Sequence, residues 1–195
     1  MKRTLVLVRH CESDWNVIKR LSGQDNTARL TKKGRDQAHE LAGTLTGIAG
    51  PSYGAIFSSD LTRALETAAI LCERLLLPMH VTPYFREVGL GELDGKTRAE
   101  VHALPNGEQH LASLREDSYD FTAYHGEDRE SVLKRHKSGV SHAMAWLRTD
   151  ATAAPDVVAI IVGRGSALRT LLNHYKPGSK LHEQGGYNLV EHTLD

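Results

Sequence analysis

Short apolar runs alternate along this chain with longer stretches whose apolar residues recur every three or four positions. The short runs are rich in branched side chains, as is typical of strands buried on both faces of a sheet. They predict strands at residues 5–8, 55–57, 79–84, 157–162 and 187–192. The periodic stretches predict amphipathic helices at residues 38–48, 61–76, 131–147 and 167–174. Because strands and helices alternate, the chain is predicted to form a three-layer α/β/α fold with a mostly parallel central sheet.

The boundaries of these elements carry cap and turn residues. Thr31 is predicted to cap the first long helix, and Gly50 with Pro51 is predicted to end it. Residues 89–130 break the pattern, because Gly, Asp, Glu and His are frequent there and helical signals are weak. We expect this segment to be an insertion that folds over a crevice as a lid. No internal repeat or clear boundary divides the chain, so residues 1–195 are predicted to form a single domain.

The composition argues against several classes of protein. The 24 basic residues cancel the 24 acidic ones, so the net charge favours neither nucleic acid nor an anionic membrane as a partner. No apolar run approaches the ~20 residues of a membrane span, and Arg9 interrupts an N-terminal run already too short for a signal peptide. We therefore expect a soluble cytoplasmic protein with Cys11 and Cys72 as free thiols. The eleven histidines show no recognised ligand spacing, so no metal is expected.

The predicted strands end in residues suited to phosphate chemistry. The strand ends and the turns after them carry, in chain order, Arg9, His10, Arg63, Glu87 and Arg164. The carboxyl ends of parallel strands line one crevice, so these side chains are expected to meet if their strands are adjacent. A neutral imidazole can attack phosphorus, guanidinium groups can hold phosphate oxygens, and a carboxyl group can protonate a leaving oxygen. For the opening stretch alone, a polar turn after a strand explains Arg9 and His10 equally well.

Five motifs occur in one order over nearly the whole chain. They are LVLVRHCESDWN, RLTKKGRDQAHELA, SSDLTRALETA, REVGLGELDGKT and the GED at residues 126–128. In this order the chain resembles the histidine phosphatase superfamily, in its phosphoglycerate-mutase-like branch. The resemblance implies that His10 is the phosphorylated nucleophile and that Glu87 donates a proton. It also implies that Arg9 and Arg63 bind phosphate. Asn16 matches the opening motif and is expected at the phosphate, with a plain turn residue as the alternative.

Two positions depart from the family's pattern. Cys11 replaces the glycine of the family's RHG motif, so a side chain stands where the backbone normally passes close to the phosphate. Crowding or altered selectivity is one expectation from this change, and a passive neighbour of the pocket is the other. Arg164 stands where the family has its second catalytic histidine, in V-x-H-G-G/S-x-x-R. An arginine keeps a donor directed at phosphate and adds a permanent charge, although pairing with a local carboxylate is an equal alternative. Loss of a transition-state donor costs about 100- to 1000-fold in rate, so weakened or redirected catalysis is one expectation.

Together these features predict a phosphomonoesterase that hydrolyses a small phosphorylated metabolite through a phosphohistidine at His10, with no metal or organic cofactor. The mutases' R-H-Y-G signature is missing after the third strand, where Glu87 follows Arg86, and this favours a phosphatase over a mutase. The alternative, carried by Arg164 and Cys11, is a degenerate or repurposed member. Such a protein would bind a phosphorylated or anionic ligand, or a protein partner, with little turnover. For the assembly, a homodimer through the last strand is an open alternative to a monomer.

Overall fold

One sheet forms the centre of the molecule, which is described here by a computed structural model covering residues 2–47, 53–149 and 157–193. The strands are β1 (Lys2–Arg9), β2 (Tyr53–Ser59), β3 (Met79–Thr82), β4 (Val158–Gly163) and β5 (Tyr187–Thr193). Their order across the sheet is β3-β2-β4-β1-β5. The first four strands run parallel and β5 runs antiparallel to β1. The predicted α/β fold with a mostly parallel sheet is therefore confirmed.

Seven α-helices lie around this sheet in the described part of the chain, and four of them cover its two faces. The seven are α1 (Asp14–Val17), α2 (Lys32–Gly47), α3 (Thr62–Leu75), α4 (Arg98–His102), α5 (Gly107–Glu116), α6 (Arg129–Thr149) and α7 (Gly165–Tyr175). The predicted cap of α2 is confirmed, because Gly34 N donates a hydrogen bond to Thr31 Oγ1 over 2.9 Å. The predicted end of this helix at Gly50 and Pro51 lies outside the described residues. Within the described ranges, no helix has both the length and the apolar character needed to cross a membrane.

The third strand is shorter than its sequence pattern predicts. β3 ends at Thr82, whereas the apolar pattern extends the strand through Tyr84. Pro83 has no N–H to give to a strand ladder, and it starts the 3₁₀ turn Pro83–Phe85. Thr82 caps this turn by accepting a hydrogen bond from Tyr84 N. The turn brings the chain to Glu87 at the carboxyl edge of the sheet.

Side chains of β1 and β4 alternate between two apolar cores. One core lies against α6 and α7 and includes Leu5, Leu7, Ala159 and Ile161. The other lies against α2 and α3 and includes Val6, Val8, Ile160 and Val162. Full burial of a branched side chain contributes ~1.5–3 kcal/mol, so both strands are firmly anchored. Their carboxyl ends are held in register, with Arg9 opposite Gly163.

Residues 89–130 form a packed layer of their own. They contain α4, α5 and the 3₁₀ turns Gly91–Leu93 and Thr122–Tyr124. Their apolar side chains join a cluster made up of Leu21, Val88, Leu90, Leu93, Val101, Leu111, Tyr119, Phe121, Val132 and Ala167. Ala167 belongs to α7, so the layer packs where β4 leads into that helix. Its movement as a lid, and a single domain over residues 1–195, stay predictions.

Candidate active site

The predicted site residues meet at the carboxyl edge of the sheet. β1 and β4 are neighbours, and His10 N donates a hydrogen bond to Gly163 O over 3.0 Å, which places His10 beside the start of α7. A cavity of about 120 Å³ lies at this edge. Arg9, Glu87 and Arg164 are among the residues that line it. The strand ends that the sequence marks therefore share one site.

His10 is held in the tautomer that leaves its Nε2 atom free. Its Nδ1 lies 2.7 Å from Cys11 O, and a carbonyl oxygen only accepts, so Nδ1 carries the proton. Nε2 is buried and has no hydrogen-bond partner in the described part of the chain. Burial, and then the charges of Arg164 and Arg63, lower the pKa of His10 well below its usual value. The imidazole is therefore neutral at physiological pH and keeps the lone pair that a nucleophile needs.

Arg63 is a fully buried cation whose hydrogen-bond partners are all neutral. Its terminal nitrogens donate to Gly23 O and Asp25 O over 2.7 Å each, and to Ser22 O over 3.3 Å. Its Nε has no partner among the described residues. Burial and the Arg164 charge lower the pKa of Arg63 to about 9, so the side chain is still charged at neutral pH. A buried cation of this kind favours an incoming anion.

Arg9 supplies a second cation from the end of β1. Its backbone is held in place, because Arg9 N donates to Gly186 O and Arg9 O accepts from Gly185 N, both over 3.2 Å. The Nε of Arg9 is buried and has no partner among the described residues. Burial and the neighbouring charge of Arg164 lower the pKa of Arg9. An anion that enters the cavity would relieve both the lost hydration and this repulsion.

Glu87 and Arg164 face each other across the start of α7. Glu87 Oε1 accepts hydrogen bonds from Val88 N (2.9 Å) and Ala167 N (2.8 Å), and Oε2 accepts one from Ser166 N (3.2 Å). The carboxylate thus sits at the N-terminus of α7, where the helix dipole favours an anion. Arg164 Nε lies 3.7 Å from Glu87 Oε2, which is beyond hydrogen-bond distance. Arg164 therefore has a carboxylate beside it and also remains able to bind phosphate.

The Cys11 side chain packs among core residues, which matches the expectation of a passive neighbour and not that of crowding. Its side chain is fully buried in a small apolar cluster with Leu30 and Ala38. Its backbone N–H donates to Thr67 Oγ1 over 3.1 Å. Burial raises the pKa of the thiol to about 11, so the group stays protonated and unreactive at neutral pH. The thiol packs towards α2, and the residue that replaces the family's glycine is a core side chain.

Asn16 has a local role in the structure. Its Oδ1 accepts hydrogen bonds from Ser13 N over 2.9 Å and from Ser13 Oγ over 2.8 Å. These contacts fix the start of α1 and match the turn-residue alternative. Binding of phosphate by Asn16 stays a prediction.

The sequence assigns no role to several residues around the cavity. The lining also includes Ser22, Arg98, Arg115, Ser166 and Arg169. The arginines of α4 and α5 reach the cavity only because residues 89–130 pack over it, and no motif or spacing marks them. Among the described residues, no group of three or more His, Cys, Asp or Glu is arranged to hold a metal ion.

A brace behind the cavity holds the loop that carries Glu87. Arg135 donates to Glu87 O over 3.1 Å and to the two carboxylate oxygens of Glu127 over 3.0 and 2.8 Å. Glu127 Oε2 in turn accepts a hydrogen bond from Gly89 N over 2.8 Å. The GED motif at residues 126–128 is the sequence signal for this brace, whereas nothing in the sequence marks Arg135.

Comparisons with known proteins agree with this geometry. The sequence model of the histidine phosphatase superfamily (branch 1) matches residues 5–191. The glucosyl-3-phosphoglycerate phosphatase of Mycobacterium tuberculosis is 35% identical over 173 residues, which cover 87% of this chain and 73% of that protein. A 2,3-bisphosphoglycerate-dependent phosphoglycerate mutase of Bartonella henselae is 30% identical over 176 residues, covering 88% and 81%. The solved structure of a mycobacterial glucosyl-3-phosphoglycerate phosphatase in complex with VO3 superposes with a TM-score of 0.80 at 29% identity, covering 96% and 92%.

Proposed function

The chain belongs to the histidine phosphatase superfamily, branch 1, and we propose that it hydrolyses small phosphomonoesters through a phosphohistidine at His10. It is a phosphomonoesterase, in line with its phosphatase relatives. One observation carries the proposed chemistry. The His10 ring is neutral, its Nδ1 is protonated, and its Nε2 is free in a site built from arginines. The alternative of a degenerate binding protein is not favoured, because the relatives are named as enzymes.

In the first step, Nε2 of His10 attacks phosphorus. The N–P bond forms as the bond from phosphorus to the leaving oxygen breaks, and Glu87, a carboxylate in the free enzyme, takes up a proton with the bound substrate and gives it to that oxygen. Arg9 and Arg63 hold the other phosphate oxygens and stabilise the charge on them. Both arginines are suited to this task, since each has a buried Nε without a partner among the described residues.

In the second step, water attacks phosphorus and the N–P bond breaks. Glu87 takes a proton from the water, orthophosphate leaves, and His10 returns to the neutral tautomer that Cys11 O selects. Arg164 keeps its charge throughout and moves no proton, because a guanidinium is not deprotonated under these conditions. Its proposed role is to bind phosphate oxygens and stabilise their charge.

The size of the site supports a small substrate. The cavity of about 120 Å³ is below the ~300–1,000 Å³ of pockets that take drug-sized ligands, and the His10 ring is fully buried. A substrate therefore reaches Nε2 only after side chains of the cavity wall or residues 89–130 shift. A small phosphorylated metabolite needs a smaller shift than a larger ester does, and this supports it as the substrate.

The cellular location, the oligomeric state and the partners of the protein are also proposals. We propose a cytoplasmic location, supported by Cys11 and Cys72, which are both free in the structure as expected in a reducing compartment. A homodimer through β5 is supported by the place of this strand at the edge of the sheet. The zero net charge supports a protein without nucleic-acid or membrane partners.

Phosphate release from a panel of phosphomonoesters tests the proposed reaction, with His10→Ala compared against His136→Ala. His136 is a matched control, because it too is fully buried, its Nδ1 lies 3.0 Å from Val132 O, and its Nε2 lacks a partner among the described residues. At a temperature where both variants are folded, His10→Ala should release no phosphate and His136→Ala should remain active. Turnover that survives in His10→Ala refutes the proposed reaction.

A further inference from the structure

The carbonyl that fixes the His10 tautomer belongs to a peptide group that is itself held from outside. Cys11 O and the N–H of Glu12 are the two ends of this group. Cys11 O lies 2.7 Å from His10 Nδ1, and Glu12 N donates a hydrogen bond to Gln37 Oε1 over 2.9 Å. The acceptor must be the oxygen of the Gln37 amide, because a backbone N–H only donates. Since a peptide group is planar, the contact that holds its N–H also sets the direction of its C=O.

The helix α2 is docked on residue 12 in a way that brings Gln37 to this N–H. Thr31 N donates a hydrogen bond to Glu12 O over 3.0 Å, and Thr31 Oγ1 donates one to Glu12 Oε1 over 2.9 Å. Gly34 makes the close approach possible, because a Cβ atom at this position would lie only 2.0 Å from Glu12 O. Gln37 follows Gly34 at helical spacing and so lies on the same face of α2.

The segment before β5 holds the Gln37 side chain from the other side. A Cβ atom at Gly185 would lie 3.2 Å from Gln37 Cβ and 3.4 Å from Cys11 Sγ, so the chain passes close to both residues. Gly185 has a φ angle of +73°, which suits glycine. Its N–H donates a hydrogen bond to Arg9 O over 3.2 Å, which ties this segment to the end of β1. Gln37 is therefore packed between α2 and a segment that is anchored beside His10.

This chain of hydrogen bonds also affects the charge on the His10 ring. When Nε2 gives its lone pair to phosphorus, the ring gains positive charge and its Nδ1–H becomes a stronger donor. Hydrogen bonds in a chain polarise one another and strengthen each other by about 10–30% per bond. The bond from Glu12 N–H to Gln37 therefore makes Cys11 O a better acceptor for Nδ1–H. Gln37 is neutral, moves no proton and does not line the cavity that holds the reacting atoms.

We propose that Gln37 is a positioning residue for His10, which acts through the Cys11–Glu12 peptide group to keep the proton on Nδ1 and Nε2 free for phosphorus. This inference rests on the proposed phosphohistidine reaction and deepens it. Thr67 gives a matched comparison in the same loop. Its Oγ1 accepts a hydrogen bond from Cys11 N over 3.1 Å, so it holds the preceding peptide group, whose carbonyl is that of His10 itself.

Nitrogen-15 NMR of the protein labelled at its histidines tests the inference without any substrate, because the shifts of the two ring nitrogens show which one carries the proton. The His10 signals are those that disappear in His10→Ala. Gln37→Met removes the acceptor at similar side-chain length and should give a mixture of the two His10 tautomers. Gln37→Glu keeps an acceptor oxygen and should keep the Nδ1-protonated form. Thr67→Val breaks one buried hydrogen bond of the same loop and should also keep that form.

Kinetics and ligand binding then separate positioning of His10 from general damage to the site. In metal sites, the groups that orient a histidine through its second ring nitrogen are worth about 10- to 100-fold, so kcat/KM for p-nitrophenyl phosphate should fall by this factor in Gln37→Met. Gln37→Glu should recover most of the loss. The calorimetric Kd for orthophosphate should stay unchanged in Gln37→Met, because Arg9, Arg63 and Arg164 bind the anion in the proposed site.

Three results would overturn the inference. They are an Nδ1-protonated His10 that survives in Gln37→Met, an equal loss of this tautomer in Thr67→Val, and a Kd for orthophosphate that weakens in step with kcat/KM. A tautomer that changes in Gln37→Met alone, in a protein that releases no phosphate from any ester, supports the positioning role and refutes the proposed hydrolysis alone.

Discussion

Glu87→Gln distinguishes two roles of this carboxylate, which are holding the N-terminus of α7 and giving a proton to the leaving oxygen. Its oxygens accept hydrogen bonds from Val88 N, Ala167 N and Ser166 N. A glutamine keeps the two bonds at the Oε1 position, but it points an NH₂ group at Ser166 N–H and removes the charge at the N-terminus of α7. Losing one charge-assisted hydrogen bond and the interaction with the helix dipole costs about 2–4 kcal/mol of stability. We therefore expect a fall of roughly 4–16 °C in Tm.

The kinetic effect of Glu87→Gln should depend on the leaving group. An alkyl phosphate needs a proton on its leaving oxygen, so its kcat/KM should fall by about 10²- to 10⁴-fold. In p-nitrophenyl phosphate the leaving group is a stable phenolate, so its kcat/KM should fall much less. The assay is kcat/KM for both substrates, which reports the first step, at a temperature where the variant is fully folded. Equal losses for the two substrates would show that Glu87 only holds α7 and does not act as the acid.

Glu127→Gln is the matched control for this prediction. Glu127 also accepts a backbone hydrogen bond, from Gly89 N, and it pairs with Arg135 through contacts that brace the Glu87 loop. Its loss should lower Tm comparably, because a half-buried pair is broken. It should affect alkyl and p-nitrophenyl phosphates equally, since Glu127 moves no proton in the proposed reaction.

The remaining predictions concern charge and packing. Burial lowers the pKa of His10, and burial with the Arg135 charge lowers that of His136 to about 3, so below pH 6.5 these two histidines bind more protons in the unfolded chain than in the folded one. The free energy of unfolding should thus fall as pH drops below 6.5, by about 1.4 kcal/mol per pH unit for each of the two histidines. His136→Asn should make this pH dependence shallower in chemical denaturation. An unchanged slope contradicts the assignment to His136. Cys11→Gly should lower stability by about 1–3 kcal/mol in the same assay without raising kcat, because it empties a packed core position. Arg164→Gln should move the acid limb of kcat/KM to higher pH, because the Arg164 charge helps to keep His10 neutral; an unmoved limb refutes this electrostatic role.

The strand ends of the site were predictable because the sheet itself is strongly encoded. The apolar runs that become β1 and β4 are buried on both faces and lie side by side in parallel. Their polar ends therefore lie at the same edge of the sheet, and this places Arg9, His10 and Arg164 in one site. Glu87 was equally predictable from its position after the third strand, although Pro83 ends β3 earlier than the apolar pattern does.

Contacts that depend on tertiary packing were out of reach of the sequence. Arg98, Arg115 and Ser22 carry no periodic or motif signal. The two arginines line the cavity only because residues 89–130 pack against α7, and Ser22 lines it from the loop that Arg63 holds. The sequence likewise did not determine the direction of the Cys11 side chain, since a motif gives the position of a residue in the chain and not the direction of its side chain. Packing against Leu30 and Ala38 sets that direction in the structure.

Trapping of the phosphoenzyme tests the proposed phosphohistidine most directly. The protein would be mixed with a good substrate, quenched with alkali within one turnover, digested and analysed by mass spectrometry. We predict an acid-labile, alkali-stable phosphate on the peptide that contains His10, present in His136→Ala and absent from His10→Ala. Steady phosphate release with no phosphorylated peptide, or with the phosphate on another residue, would contradict a phosphohistidine at His10.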